Sequence, residues 1–203
     1  MRLLQQAPVS SLLLLAIAAV FVAETAAGGS TDTAVLTRFG ANVPALVWQG
    51  EVWRLAASMF LHIGIVHVLV NGWALSQIAP MVEGLLGAGK LVLLYVVTGL
   101  CGSLASVLWH TWRGEPNAVS AGASGALFGL IGALIAFLLR RRDRLVPQAK
   151  ALLSQLVLWA GINAFLGFTI PGIDNAAHMG GAVAGLLLGF VVRDRRPQYA
   201  EPV

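Results

Sequence analysis

Charged residues divide the chain into six long stretches that contain none: 3 to 23, 55 to 82, 91 to 112, 116 to 139, 151 to 173 and 175 to 192. Each is at least 18 residues long, and about 20 apolar residues span a hydrocarbon core of roughly 30 Å. The pattern predicts six transmembrane helices in an all-α, polytopic membrane bundle. Composition agrees: 58% of the residues are hydrophobic and 11% charged, with a mean hydropathy of +0.81, whereas a soluble domain carries about 25% charged residues.

Basic residues set the expected orientation, because Lys and Arg are retained on the cytoplasmic side. With the N-terminus inside, the cytoplasmic segments hold Arg2, Lys90, Arg140, Arg141, Arg142, Arg144, Lys150, Arg193, Arg195 and Arg196, against Arg38, Arg54 and Arg113 on the other side. Both termini are therefore expected in the cytoplasm, with loops 28–58, 113–123 and 171–176 outside. The net charge of +4 is then a topology signal, and no nucleic-acid partner is expected. The first helix, about residues 8–27, has an alternative. Arg2, "SLLLLAIAAVFVA" and "TAAGG" also fit a signal peptide, whose removal would leave every later helix in the same orientation. The single Cys101 offers no disulfide framework and is expected to be an inert packing residue.

The chain reads as one membrane domain over residues 1–203, with a polar cytoplasmic tail at 193–203 and no convincing repeat. Residues 28–58 form the longest non-helical connection, and Trp48, Trp53 and Arg54 within it suit interfacial anchoring.

The fourth stretch breaks the pattern. "AVSAGASG" is too rich in Gly and Ser for a confident helix. A helix from Ser124 to Arg140 would rise only about 24 Å, less than the hydrocarbon core. Ser124 is thus expected at a submerged helix start, met by a loop that dips in and faces a wet cavity. A helix N-terminus offers unpaired amides and a positive dipole end, so a serine there could attack a carbonyl while the amides receive the oxyanion. It still needs a base.

His178, near the same end of the sixth helix, is the best candidate. It precedes Gly181 and Gly185 by three and seven residues and so shares their helical face. Gly125 and Gly129 repeat the small-residue spacing in the fourth helix, which lets backbones approach closely. In the second helix His67 and Asn71 stand four apart on one face and could donate side-chain hydrogen bonds. Helix-to-helix bonding is the plainer use of that pair. His62 is expected to be structural and His110 interfacial. No HExxH occurs, and no acid lies near the histidines of the second or sixth helix to complete a metal site. Two facing histidines could ligate haem, which would leave Ser124 and Asn71 unused.

Taken in order, His67-x-x-x-Asn71, Gly122-Ala123-Ser124-Gly125 and Ala177-His178-x-x-Gly181-x-x-x-Gly185 resemble the rhomboid intramembrane serine proteases. The resemblance covers residues 50–192 and includes Trp53-Arg54, "SMFLH", and Glu83 with Gly87. It implies a Ser124–His178 dyad without an acidic third member, and an oxyanion hole of His67, Asn71 and the Ser124 amide. It implies no cofactor, a retained first helix and transmembrane segments of other proteins as substrates; the small chain without extra domains suits a bacterial inner membrane. Phe128 stands where family members often carry a Tyr against the imidazole, so stacking could persist without a hydroxyl contact. An inactive rhomboid-like binder of transmembrane helices is the competing possibility, and Asp174 is an outside candidate for orienting His178.

Overall fold

The structure, a computed structural model, describes residues 7–170 and 172–193; most of the tail read from the sequence lies outside the described residues. In chain order the helices are α1 (Pro8–Ala26), α2 (Thr33–Phe39), α3 (Pro44–Trp48), α4 (Arg54–Ala57), α5 (Ile65–Leu86), α6 (Ala88–Trp112), α7 (Ser124–Leu139), α8 (Pro147–Thr169) and α9 (Asn175–Val191). Helices close their own backbone hydrogen bonds, as lipid-embedded segments must. Four of them, α1, α5, α6 and α8, are long and apolar enough to cross a membrane, and α7 and α9 are shorter apolar helices.

The centre is α7. Nearly every residue from Gly125 to Leu138 is buried, enclosed by α5, α6 and α9. Leu75, Val82, Leu91, Leu94, Tyr95, Leu130 and Leu134 form the middle of the core. Between α7 and α9 the packing is backbone against backbone. A Cβ on Gly181 would overlap the Gly125 carbonyl oxygen, one on Gly185 that of Gly129, and one on Gly189 that of Ala133. The glycine spacing seen in the sequence therefore marks a real seam.

α1 is attached differently. At its N-terminus the Glu83 carboxylate accepts from the amides of Val9 (3.1 Å) and Ser10 (2.8 Å) and from the Ser10 hydroxyl (2.7 Å). An anion there satisfies open amides and complements the helix dipole. At its other end Glu24 is fully buried.

Three sequence expectations change. Residues 28–58, expected to be non-helical, contain α2, α3 and α4. Asp32 caps α2 by accepting from Ala34 and Val35, Gly40 ends it at φ +106°, and Pro44 opens α3. Arg54, expected as an interfacial anchor, is buried. Its guanidinium donates to the carbonyls of Thr37 (2.6 Å) and Ala41 (3.2 Å), pairs with Glu51 (2.7 Å) and lies over the exposed Trp53 ring. Long-range carbonyl partners, which leave no local mark, draw it inward. Cys101, expected to pack, is exposed on α6.

Candidate active site

The loop before α7 is held on three sides. Asn42 and Ser120 pair as an antiparallel bridge, with N–H to O distances of 2.8 and 3.0 Å. The Gly122 amide donates to the Ser58 carbonyl at 2.9 Å, and the Ser120 hydroxyl donates to Asp174 at 2.6 Å. Gly122 then turns the chain into the helix at φ +143°, a left-handed conformation that suits glycine. A Cβ there would also come within 2.8 Å of Cε1 and 3.0 Å of Nε2 of His67. Ser124 follows as the first residue of α7 and is half-buried.

Asp174 fixes the facing helix. Its Oδ1 accepts from the Ala177 amide at 3.0 Å, capping α9, and its Oδ2 accepts from both Ser106 and Ser120. One carboxylate thus ties α6, the loop before α7 and the start of α9 together. With the cap set and the glycine seam closed, His178 Nε2 lies 2.9 Å from Ser124 Oγ. Phe128, one turn into α7, stacks on the imidazole with centroids 4.3 Å apart and planes 12° from parallel. Asp174 bonds to the backbone of this helix and makes no hydrogen bond to the imidazole: among the described residues Nδ1 of His178 has no hydrogen-bond partner.

At the start of α5, His67 is half-buried and Asn71 buried. Nδ1 of His67 accepts from the Ile63 amide at 3.2 Å, and the Asn71 amide donates one hydrogen to the His67 carbonyl at 3.0 Å. A backbone N–H can only donate, so Nδ1 holds the lone pair and Nε2, beside Gly122, carries the proton.

The structure therefore brings Ser124, His178, Phe128, Gly122 and His67 into one neighbourhood. Gly125, Gly181 and Gly185 lie in the seam behind it, while Trp53 and Arg54 brace the end of α2 at Thr37, Gly40 and Ala41. A hydroxyl bonded to an imidazole nitrogen at a helix start can lose its proton and attack an electrophile, with helix amides nearby. No cluster among the described residues could hold a metal ion.

His110, expected at the interface, pairs with Glu115 (Nδ1 to Oε2, 2.8 Å) and lies 3.9 Å from Asp174. The His110 hydrogen bond, assisted by Arg113, holds the Glu115 carboxyl below the usual carboxylate range. Sequence reasoning passed over Asn42, Ser58, Ser106 and Glu24. All four act through partners more than 35 residues away, so no local spacing could have marked them.

Similarity to known proteins follows the same residues. A family model, the Rhomboid domain, matches residues 49–195. The chain is 39% identical to "Rhomboid protease GluP" of Bacillus subtilis (strain 168), over 78% of this chain and 29% of that protein. It is 42% identical to "RHOMBOID-like protein 5" of Arabidopsis thaliana, over 81% and 51% of the two chains. "Rhomboid-like protease 5" of Toxoplasma gondii is 37% identical over 70% and 16%. The chain spans about half the length of these relatives or less. A family model that covers most of an all-α membrane bundle, including both helices of the glycine seam, leaves one assignment: the chain belongs to the rhomboid family.

Proposed function

We propose that the protein is an intramembrane serine endopeptidase that cuts transmembrane segments of other membrane proteins near their extracytoplasmic end. The observation that carries this is the 2.9 Å contact between His178 Nε2 and Ser124 Oγ at the first residue of α7. Ser124 Oγ attacks the scissile carbonyl carbon as its proton passes to His178 Nε2. The carbonyl oxygen becomes the oxyanion. The donors proposed to receive it are the Ser124 amide, Nε2–H of His67 and the second amide hydrogen of Asn71, whose first is bonded to the His67 carbonyl. Collapse expels the amine, which takes the proton from His178, and leaves an acyl group on Ser124. A water that gives its proton to His178 then hydrolyses the ester.

Stacking by Phe128 holds the imidazole plane where a third acidic residue would otherwise orient it. Because α7 has 16 residues, about 24 Å of rise, its start sits below the surface of a roughly 30 Å core. A substrate must unwind locally to present a carbonyl at that depth. The excess of Lys and Arg in the segments assigned to the cytoplasm supports an outward-facing site end of the bundle.

A fluorophosphonate probe with the detergent-solubilised protein, together with a transmembrane reporter carrying small residues near one boundary, tests these statements. Labelling at Ser124, its loss in folded His178→Ala, and a cut at the extracytoplasmic boundary are expected. An unlabelled Ser124 and an intact reporter would make the chain a binder of transmembrane helices, and a cut at the cytoplasmic boundary would reverse the orientation.

A further inference from the structure

Glu24 has no place in the chemistry just described. It lies in the last turn of α1, outside the residues that the family model matches. It is fully buried. An acid enclosed in a membrane bundle is costly unless something uses it. Its side-chain partner among the described residues is a single backbone group: both carboxyl oxygens face the His62 amide, at 3.3 and 3.4 Å. These are long, shared contacts, and they grip one point of the chain.

The next amide along is that of Ile63, which donates to His67 Nδ1. Two consecutive peptide N–H groups therefore point to Glu24 and to His67. The turn between them is tight: Gly64 takes φ +83° before α5 begins, and a Cβ on it would press Thr31. The His62 ring, fully buried, packs against the His67 ring with centroids 5.1 Å apart. His67 is thus fixed at Nδ1 by one amide and on its flank by one ring, both from a segment that Glu24 anchors.

We infer that Glu24 is a positioning residue: it clamps the peptide at 62–63 so that the Ile63 amide holds His67 as the Nε2–H tautomer, aimed past Gly122 at the oxyanion. Without the clamp, the 61–64 turn is free to shift, Nδ1 loses its donor, and the ring can take the other tautomer or turn away. Either change removes a donor from the developing charge while leaving substrate contacts in place. This rests on the proposed peptidase chemistry, in which His67 serves the oxyanion.

The test measures reporter cleavage and nitrogen shifts. Losing one oxyanion donor costs about 10² to 10³ in rate, and loosening one should cost less. Glu24→Ala is expected to lower kcat by roughly tenfold with KM within about twofold. Glu24→Gln keeps an acceptor for the His62 amide and should restore most of the rate. In a His67→Ala background, Glu24→Ala should then have no further effect, because its target is gone. An equal fractional loss in that background, or no loss in wild type, overturns the inference, since a merely structural acid would act in both. Nitrogen-15 shifts of His67 in the unmutated protein need no variant to fold. A neutral Nε2–H imidazole is expected, and an Nδ1–H form overturns the clamp. If the protein cleaves nothing at all, the peptidase proposal fails, while the His67 shifts in wild type and Glu24→Ala still report whether the clamp exists.

Discussion

Helices α9 and α1 are both held to the bundle, by opposite means. α9 lies on α7 through glycines, with its backbone so close that a single methyl at Gly181 or Gly185 would overlap a carbonyl oxygen. α1 presents few buried residues, namely Ser10, Ser11, Ile17 and Glu24, and is gripped at its two ends by carboxylates. Within lipid no hydrophobic force separates helix from solvent, so close packing and polar bonds are what remain to join helices. Close packing fixes separation along the whole contact to a fraction of an ångström. Polar end-clamps fix position at two points and leave much of the span between them exposed, with Ile17 the buried apolar side chain that joins it to the core. The proposed chemistry needs the first kind of joint where Ser124 meets His178, and tolerates the second elsewhere.

The strongest way to break this contrast is to widen the seam. Gly185→Val sets a branched side chain against the Gly129 carbonyl, and overpacking of this kind costs about 1–3 kcal/mol or more. The helices must move apart, and a misplacement of about 1 Å at reacting groups can cost 10²-fold. Probe labelling of Ser124 is expected to slow by at least about 100-fold in protein that remains folded in detergent. Gly161 on α8 is the contrasting position, because a Cβ there meets nothing within 4 Å. Gly161→Ala should keep the wild-type labelling rate and gain slightly in stability through helix propensity. A Gly185→Val protein that labels normally would show that the seam does not set the dyad distance.

Removing the far clamp of α1 should act on stability and spare the chemistry. Glu83 sits near the end of α5 opposite His67, 16 residues and so about 24 Å away along the helix. Glu83→Ala orphans two amides and a hydroxyl at the start of α1, a loss of about 2 kcal/mol for a charged cap with several bonds. The melting temperature is expected to fall by roughly 4–8 °C, with labelling of the folded protein within about threefold of wild type. A large loss of labelling at unchanged melting temperature would mean that α1 as a whole, and not Glu24 alone, sets the site.

The two joints also differed in how readable they were. Each side of the glycine seam carries its own short-range signature, Gly125 with Gly129 and Gly181 with Gly185, so spacing alone placed His178 on the face that meets Ser124. The start of α7 at Ser124 and its short length could likewise be read, because the distance from Ser124 to the arginines is a local quantity. Buried charges were harder. Glu24 served only as the end of an uncharged stretch and Arg54 read as an interfacial anchor, yet Glu24 lies inside α1 and Arg54 is buried, each bonded to backbone groups at least 13 residues away in sequence. Helix starts shifted for a related reason. The stretch from 55 is uncharged throughout, but residues 54–60 form α4 and a 3-10 turn, and α5 waits until Ile65, after the positive φ of Gly64.

An exposed carboxylate completes the scale at its small end. Glu115 accepts from His110 and pairs with Arg113 at 3.3 Å, but both its neighbours and solvent compete for it, and exposed pairs contribute little. Its carboxyl is held below the usual range by the His110 hydrogen bond. A lowered folded value contributes stability that is present above the ordinary carboxylate value, about 4.3, and is lost as pH falls through the lowered one. Melting temperatures of wild type and Glu115→Gln measured from pH 7 downward are therefore expected to differ by less than about 2 °C, with a constant offset above pH 5 that disappears in acid. An offset that grows as pH falls would have the wrong sign for this carboxylate. An offset as large as that of Glu83→Ala would mean that end-clamping does not depend on burial, and the distinction between the two kinds of acid would go with it.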